Sequence, residues 1–270
     1  MAEKLISSKG QLQRLPLNIK GLDENLEGGV PRNNTILIAG AAGTMKSSVC
    51  FNAVYKEAER GGNVLYITLE QSYVSLLNHM INMGFDFNKV DVTIIGSDPA
   101  IIKKKVQQMK QSKKGHIILS DLGSLRATIK GKEAAANWWN IIFRIIKALK
   151  DDCNISTLAI DSLNALYVLT NFKDPRNQIF QMFTSFKELD LTTFLISEMP
   201  RDGSRLGYYE VEDFLSDGVI VINLVERNRK VTREISVAKM RATNANNDVF
   251  TLEFGKRGFE ALYGGKMPLV

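Results

Sequence analysis

The residues best suited to chemistry form a short segment at positions 40–47. Its sequence, Gly-Ala-Ala-Gly-Thr-Met-Lys-Ser, matches the phosphate-binding pattern G-x-x-x-x-G-K-[ST] except that Met45 replaces the second glycine. Backbone N–H groups of such a loop attract phosphate oxygens, Lys46 can reach the β- and γ-phosphates, and the Ser47 hydroxyl can ligate Mg²⁺. The predicted nucleotide-binding residues are Gly40, Ala41, Ala42, Gly43, Thr44, Met45, Lys46, Ser47 and Ser48.

Met45 is the departure from this pattern. A glycine at this position lets the backbone pass close to phosphate, and any other residue adds a Cβ atom there. The side chain is tolerable there if position 45 already has helical backbone angles. The substitution then tunes nucleotide affinity or rate and leaves the site in place.

Two carboxylates end apolar segments that have the length of buried strands. Asp161 follows the segment 157–160, and Glu70 follows the segment 64–69. The carboxyl ends of parallel strands meet at one edge of a sheet, so both side chains are predicted to lie near the phosphate loop. Asp161 is the predicted second Mg²⁺ ligand, and Glu70 is the predicted base that orients or deprotonates the attacking water. The alternative for each is a role at the start of the next helix.

Short apolar segments alternate with segments of helical period along most of the chain, which is the pattern of βαβ units. The segments predicted as buried parallel strands are 35–39, 63–69, 116–119, 157–160 and 192–197. Helices are predicted at 47–58, 71–83 and 134–150, the last with an apolar face of Trp138, Ile142, Ile145 and Leu149. Ser197 and Glu198 end the last strand and either contact a γ-phosphate or have no role. The fold class is therefore α/β, with a mostly parallel central sheet flanked by helices.

The pattern changes after residue 197. Two strand-like segments, 218–224 and 232–239, are joined by a polar turn, and a third follows at 249–254. This arrangement predicts an antiparallel C-terminal extension of the sheet. No Pro/Ser-rich linker or internal repeat divides the chain, so an N-terminal arm, residues 1–15, is expected to precede a single domain, residues 16–270.

Composition excludes several classes of protein. With 44% hydrophobic and 24% charged residues in 270 positions, the chain is not disordered, collagen-like or a coiled coil. Cys50 and Cys153 are far apart and lack histidines at metal-ligand spacing, so neither a disulfide framework nor a zinc site is indicated and a cytoplasmic location is expected. No apolar stretch approaches about 18 residues and no signal peptide is recognisable, so membrane insertion is not expected.

Nucleic acid is a weakly supported partner. The net charge is +6, and the most basic stretch contains Lys103, Lys104, Lys105, Lys110, Lys113 and Lys114. Ile102, Val106 and Met109 form an apolar stripe there, which instead indicates the solvated face of an amphipathic helix. A polar loop carries Arg201, Arg205, Tyr208 and Tyr209, side chains that can contact single-stranded nucleic acid or protein. His79 and His116 have no partners nearby in sequence and are predicted to pack.

Together these segments resemble a KaiC-like ATPase of the RecA superfamily, of the single-domain kind common in archaea. The resemblance extends from about residue 21 to the C-terminus. The stretches that carry it are 21–31 (GLDENLEGGVP), 43–48 (GTMKSS), 66–70 (YITLE), 160–163 (IDSL), 214–220 (FLSDGVI) and 239–243 (KMRAT). It implies a RecA-like fold of the P-loop NTPase class, with ATP and Mg²⁺ as cofactors and hydrolysis of ATP to ADP as the activity.

The resemblance also implies a ring, usually a hexamer, in which ATP binds between neighbouring subunits. In that family a Lys-x-Arg pair enters the γ-phosphate site of the neighbour, and Lys239 and Arg241 are the matching positions. Their two-residue spacing on a strand places both side chains on one side. We expect this strand at the far edge of the sheet, away from the phosphate loop of its own subunit, so that the pair acts on the neighbour's nucleotide.

Departures from the family limit what is carried over. Gln71 follows Glu70 where the family often has two consecutive glutamates, which predicts slow hydrolysis. Asp213 and Phe214 replace the adjacent Ser and Thr of the autophosphorylating clock domains, so no autokinase cycle is expected there, and a single domain gives no basis for a clock role. The implied function is a slow ATPase whose nucleotide state controls assembly or signalling with an unidentified protein partner.

Two other functions are compatible with the same residues. A recombinase paralogue acting on DNA would use the loop 201–209, and neutralising that loop would remove its salt-dependent binding to single strands. A scaffold for a motility or signalling machine would instead bind ATP tightly without turnover. Measurements of turnover and of single-strand binding therefore separate the three functions.

Overall fold

The computed structural model describes residues 12–96, 99–122, 138–170, 172, 174–200, 203, 205–227 and 229–263. Its strands are β1 (Arg14–Leu15), β2 (Ile19–Lys20), β3 (Val30–Pro31), β4 (Thr35–Gly40), β5 (Asn63–Thr68), β6 (Asp91–Ile95), β7 (His116–Asp121), β8 (Thr157–Asp161), β9 (Thr192–Glu198), β10 (Gly218–Arg227), β11 (Lys230–Met240), β12 (Phe250–Gly255) and β13 (Gly258–Tyr263). Its α-helices are α1 (Lys46–Glu59), α2 (Tyr73–Asn82), α3 (Pro99–Met109), α4 (Trp138–Cys153), α5 (Leu163–Thr170), α6 (Pro175–Glu188) and α7 (Glu212–Leu215).

Eleven of these strands form one sheet, in the order β2-β13-β12-β11-β10-β4-β9-β8-β5-β7-β6. Neighbouring strands from β10 to β6 are parallel, whereas β11, β12 and β13 continue in antiparallel pairs. Strands β1 and β3 form a separate two-stranded sheet. The predicted fold class is confirmed, because the sheet is mostly parallel, is flanked by helices and has an antiparallel C-terminal extension.

Strand β4 lies inside the sheet and is buried on both faces. Its side chains alternate between two apolar clusters, with Ile36 and Ile38 on the face of α1 and Leu37 and Ala39 on the face of α4 and α6. Burial of a large apolar side chain stabilises the folded state by about 1.5–3 kcal/mol. Packing on both faces therefore makes β4 a firm support for the loop that follows it.

All eight predicted strands are present, with ends that differ by one to three residues. Strands β6 and β13 were not predicted. The residues of β6, Asp-Val-Thr-Ile-Ile, are mostly half-buried because β6 ends the sheet and, among the described strands, pairs with β7 alone. It therefore lacks the continuous apolar character on which prediction of a doubly covered strand depends.

The two helices with predicted apolar faces follow the prediction where they are described. Helix α4 buries its four predicted apolar residues, and the first four predicted positions, 134–137, lie outside the described residues. In α3, Ile102, Val106 and Met109 are buried, while Lys103 and Lys104 are exposed. Within the described ranges, none of the helices is long and apolar enough to cross a membrane.

Candidate functional site

The phosphate loop connects the buried end of β4 to the start of α1. Gly40 has no room for a side chain, because a Cβ atom there would lie 2.4 Å from the carbonyl oxygen of Ile222. Thr44 Oγ1 donates a hydrogen bond of 2.9 Å to the Ala41 carbonyl and closes the loop on itself. The sequence thus folds locally as strand, tight loop and helix, which is the setting that the phosphate-binding pattern needs.

Met45 does not have the helical backbone angles under which a side chain would be readily tolerated. Its φ is +74° and its ψ is +24°, in the left-handed region that glycine enters without steric penalty. A left-handed residue with a Cβ atom costs about 1–2 kcal/mol. The Met45 side chain is partly buried against the apolar cluster under α1, and this packing offsets that cost.

Lys46 directs a nearly buried ammonium group at the mouth of the loop. Its side chain is 7% exposed, and Nζ lies 2.9 Å from the Ala41 carbonyl oxygen and 3.9 Å from Glu198 Oε1. Burial lowers the pKa of Lys46, while the nearby carboxylates of Glu198, Asp161 and Glu70 act to raise it. Lys46 is therefore a confined positive charge surrounded by oxygen atoms.

Asp161 lies beside the first turn of α1, where the sequence predicted a metal ligand. It is 3% exposed and accepts a hydrogen bond of 2.7 Å from the Tyr66 hydroxyl. Burial raises the pKa of Asp161, while the hydrogen bond from Tyr66 and the nearby Ser47 side chain act to lower it. The Ala165 N–H donates to Ser162 Oγ at the start of α5, so this helix uses Ser162 as its cap.

Glu70 lies just after β5 and lines the same cavity as Asp161. Its carboxylate is exposed to solvent and accepts a hydrogen bond from the Ser162 hydroxyl. The cap of α2 is Ser72, whose hydroxyl accepts a bond of 3.2 Å from the Ser75 N–H. Because another residue caps the helix, Glu70 is available to face the loop.

A cavity of about 450 Å³ brings these side chains together. It is lined by Ala42, Gly43, Met45, Lys46, Ser47, Ser48, Glu70, Gln71, His79, Asp161, Ser162, Ile196, Glu198 and Arg233. Six of the nine predicted loop residues and both predicted carboxylates therefore share one concave site. Ser197, by contrast, follows Ile196 on the opposite face of β9, so only Glu198 of that pair lines the cavity.

Arg233 on β11 is a residue of this cavity that sequence reasoning missed. Its Nη2 donates to the carbonyl oxygen of Gly43 at 3.4 Å, and its Nε is buried without a hydrogen-bond partner among the described residues. The available signal was strand alternation, because Arg233 shares a strand face with Ile235 and Val237, which are both buried. A cation on the inward face of a strand needs a partner, and here the phosphate loop lies beneath it.

The two histidines differ. His79 lines the cavity, and its Nε2 lies 3.1 Å from Ser48 Oγ, a polar contact that the sequence did not predict. His116 is buried at the start of β7, as predicted, and its Nε2 is 3.9 Å from Asp91 Oδ2. His79 therefore adds a polar group to the wall formed by α2.

Lys239 and Arg241 lie at the opposite end of the strands from the phosphate loop. The expected position at the far edge of the sheet was wrong, because β11 is separated from β4 only by β10. The basic pair is instead separated from the phosphate loop along the direction of the strands. Met240 and Ile36 both pair with Gly218, and Ile36 precedes Gly40 by four residues, or about 13 Å. Arg241 therefore lies far from its own loop.

The contacts of this basic pair are unequal. Lys239 Nζ donates to three carbonyl oxygens near the end of α7, those of Asp213 (2.9 Å), Phe214 (3.2 Å) and Ser216 (2.7 Å). Burial, followed by the positive charge of Arg241, lowers the pKa of Lys239. Arg241 Nη1 donates to Asp217 Oδ1 at 2.8 Å, but its side chain remains 52% exposed. Arg241 is thus the member of the pair that is open to a neighbouring molecule.

The loop with arginines and tyrosines is anchored to the body of the domain. Arg201 lies outside the described residues, and Arg205 forms an ion pair with Glu210 at 3.5 Å. The Tyr209 ring packs on Tyr167, with the two centroids 5.0 Å apart. Tyr208 is 58% exposed and is the aromatic ring that this loop presents to solvent within the described residues.

Comparison with known proteins adds a family context to this geometry. A family model for the KaiC ATPase matches residues 15–263. The circadian clock oscillator protein KaiC of Prochlorococcus marinus is 26% identical over the whole chain, which spans 49% of that relative. The UPF0273 protein of Pyrococcus furiosus is 25% identical, with 86% of this chain and 87% of that protein covered.

A solved structure is also similar to this chain. The crystal structure of a KaiC-like protein from the hyperthermophilic archaeon Pyrococcus horikoshii matches with a TM-score of 0.69 and 27% identity, and the match covers 93% of this chain and 99% of that one. The chain therefore spans about half the length of the KaiC clock proteins that it matches, but nearly the whole of this archaeal protein.

Proposed function

The chain belongs to the KaiC family of ATPases, and on this basis we propose that it binds ATP with Mg²⁺ at the phosphate loop and hydrolyses ATP slowly to ADP. The observation that carries the proposal is the convergence of Lys46, Ser47, Asp161 and Glu70 on one cavity. Residues 16–270 would act as a single ATPase domain. Nucleotide state would control assembly or signalling through an unidentified protein partner.

The donor set fits Mg²⁺. This ion prefers oxygen ligands and is usually held by one or two protein side chains together with phosphate oxygens and water. Ser47 and Asp161 supply a hydroxyl and a carboxylate that line the same cavity. Within the described ranges, no group of three or more His, Cys, Asp or Glu side chains could hold a metal by itself. This agrees with an ion that enters together with the nucleotide.

Each residue has a distinct part in the proposed reaction. Bound Mg²⁺ would neutralise negative charge on the β- and γ-phosphates. Lys46 would add a positive charge in a nearly water-free position, where electrostatic interactions are strong. Glu70, held by the Ser162 hydroxyl, would orient water and accept its proton at a carboxylate oxygen. Gln71 cannot serve as a second base, which supports slow turnover.

Replacing Glu70 by glutamine tests the chemistry. The amide keeps the shape of the side chain but cannot accept a proton, so Glu70→Gln should bind ATP normally and lose about 100-fold or more in turnover. Phosphate release and calorimetric ATP titration measure the two effects. Glu198→Gln is the matched control, because Glu198 is a second carboxylate in the cavity and should be dispensable for proton transfer. Unchanged turnover in Glu70→Gln would show that another group is the base.

Arg233 should contribute to nucleotide affinity. Its partly unpartnered guanidinium faces the loop, and a hydrogen bond to a charged group contributes about 1.5–3 kcal/mol. Arg233→Ala is therefore expected to weaken ATP binding about 10-fold or more, measured by calorimetry. Lys230→Ala removes an exposed charge from the same strand and is the control for net charge. An equal loss in both variants would contradict a specific contact by Arg233.

Assembly into a ring, with the site completed by the next subunit, is part of the proposal. Arg241 supports it, because this side chain is exposed at the end of the sheet opposite its own phosphate loop. The alternative of an ATP-bound scaffold without turnover keeps the same site and is distinguished by the hydrolysis assay. DNA binding, if present, is expected to be weak and electrostatic, since the lysines of α3 form a solvated face.

A further inference from the structure

Tyr66 is a buried tyrosine whose hydroxyl lies next to Asp161, one of the two proposed metal ligands. It belongs to β5 and is fully buried, and its hydroxyl donates a bond of 2.7 Å to Asp161 Oδ2. In the parallel register of β5 and β8, Tyr66 pairs with Ala159, and Thr68 pairs with Asp161. Tyr66 and Asp161 are therefore diagonal neighbours on one face of the sheet, the face that α1 covers.

Packing alone does not account for a hydroxyl at this position. The Tyr66 ring lies against Phe51 of α1, with the centroids 5.5 Å apart, and a phenyl ring would make the same contact. A phenolic hydroxyl in an apolar core costs free energy unless it forms a hydrogen bond. The bond to Asp161 satisfies the hydroxyl and at the same time restrains the carboxylate.

The restraint acts on the side chain that would bind the metal. Asp161 has two oxygens, and a bond from a rigid, buried ring to Oδ2 limits rotation of the carboxylate about its side-chain torsions. Ser47 lines the same cavity as this carboxylate, so the orientation of Asp161 decides how the two proposed ligands face each other. Groups that hold metal ligands in this way typically contribute 10- to 100-fold to metal affinity.

We propose that Tyr66 is a positioning residue for Mg²⁺, whose hydroxyl holds the Asp161 carboxylate in the orientation that meets Ser47 and the metal. This inference rests on the proposed function, since it assumes that the cavity binds Mg²⁺ with ATP. Tyr66 does not line the cavity, so it would not touch the metal or the nucleotide itself. Its effect is exerted through Asp161.

The test is the Mg²⁺ dependence of ATP binding in Tyr66→Phe. Calorimetric titrations with ATP are made over a series of Mg²⁺ concentrations and in EDTA. The half-saturating Mg²⁺ concentration should rise about 10-fold or more, while ATP affinity in EDTA stays the same. Tyr55→Phe is the matched control, because Tyr55 is also buried and donates to a backbone carbonyl, that of Asp86, at 2.8 Å, outside the cavity. That variant should keep the wild-type Mg²⁺ midpoint.

A double mutant shows whether the effect passes through Asp161. In an Asp161→Asn background, Tyr66→Phe should cause no further loss of ATP affinity at a fixed Mg²⁺ concentration, because the carboxylate that Tyr66 orients is already absent. A further loss equal to that in the wild-type background would overturn the inference. So would an unchanged Mg²⁺ midpoint in Tyr66→Phe, or an equal rise in Tyr55→Phe.

Failure of the proposed function has a different signature. In that case the wild-type protein itself shows no ATP binding, or binding that does not depend on Mg²⁺. Wild-type binding that depends on Mg²⁺, together with a Tyr66→Phe variant that is indistinguishable from it, contradicts the role of Tyr66 alone. Thermal unfolding of each variant, measured without nucleotide, confirms that the proteins compared are folded.

Discussion

Lys46→Ala is expected to lose about 100-fold in Mg-ATP affinity and to remain folded. Lys46 is 7% exposed at the phosphate loop. Water molecules cannot readily stabilise phosphate there in place of its positive charge. Loss of hydrogen bonds between a cation and phosphate costs about 3 kcal/mol, which corresponds to a factor of about 100. Calorimetric titration of ATP measures the loss directly.

The stability of this variant should change little. The folded protein already confines the Lys46 ammonium, and burial lowers its pKa, so removing the group relieves a desolvation cost. Lys56→Ala is the control on the same helix, because Lys56 forms an ion pair with Glu59 outside the cavity. It should bind ATP as the wild type does. Equal ATP affinity in Lys46→Ala and wild type would remove the phosphate-loop interpretation.

Arg241→Ala is expected to bind ATP almost normally and to hydrolyse it about 1,000-fold more slowly. An arginine supplied by a neighbouring subunit stabilises the charge that develops on the transferred phosphoryl group, and its loss typically costs a factor of this size. The side chain is half exposed and lies at the end of the sheet opposite its own loop. Lys187→Ala is the matched control, since Lys187 also donates to Asp217 Oδ1. Single-turnover hydrolysis measures both variants.

Mixing two inactive variants tests whether the site is shared. Arg241→Ala subunits retain the phosphate loop, and Lys46→Ala subunits retain the arginine. In a mixed ring, some interfaces combine an intact loop with an intact Arg241, so activity should partly return. Mass spectrometry verifies that mixed rings form. If no activity returns at any ratio, Arg241 does not act on a neighbour, and its ion pair with Asp217 is its main role.

The contacts of Lys239 refine this expectation. Three carbonyl oxygens near α7 accept from its ammonium group, so in this conformation the group is engaged within its own subunit. The role of both basic residues at the neighbour's site is what the family resemblance implies. Spacing places two side chains on one side of a strand, but the loop that packs there decides which of them is exposed. Arg241 is therefore the more informative variant.

The sequence was sufficient to predict which residues of the candidate site lie together wherever they belong to short segments and strand ends. Lys46 and Ser47 follow a local pattern, and Asp161 and Glu70 follow from the rule that parallel strands end at one edge. Arg233 was not predictable in the same way, because 190 positions separate it from Gly43 and the contact depends on how the β10–β11 hairpin lies over the loop. His79 was missed because its partner, Ser48, lies on a different helix.

The limits of prediction for the fold have a similar cause. Doubly buried strands such as β4 have continuous apolar sequences, so they were found with nearly correct ends. Strand β6 is half-buried at an edge, and its extended conformation depends more on pairing with β7 than on its own residues. The lateral position of β11 depends on strand order, which is a property of the whole sheet.

The left-handed backbone at Met45 bears on how such loops diverge among relatives. The loop requires a positive φ at this position, and glycine is the residue that adopts a positive φ most easily. Where the neighbouring core accepts a side chain, as it does for Met45, a replacement for glycine can be close to neutral and can persist in a lineage. The backbone N–H groups of the loop then keep their direction although the residue type at this position changes. At this position the loop needs a backbone conformation, and a consensus written in residue types alone describes that requirement incompletely.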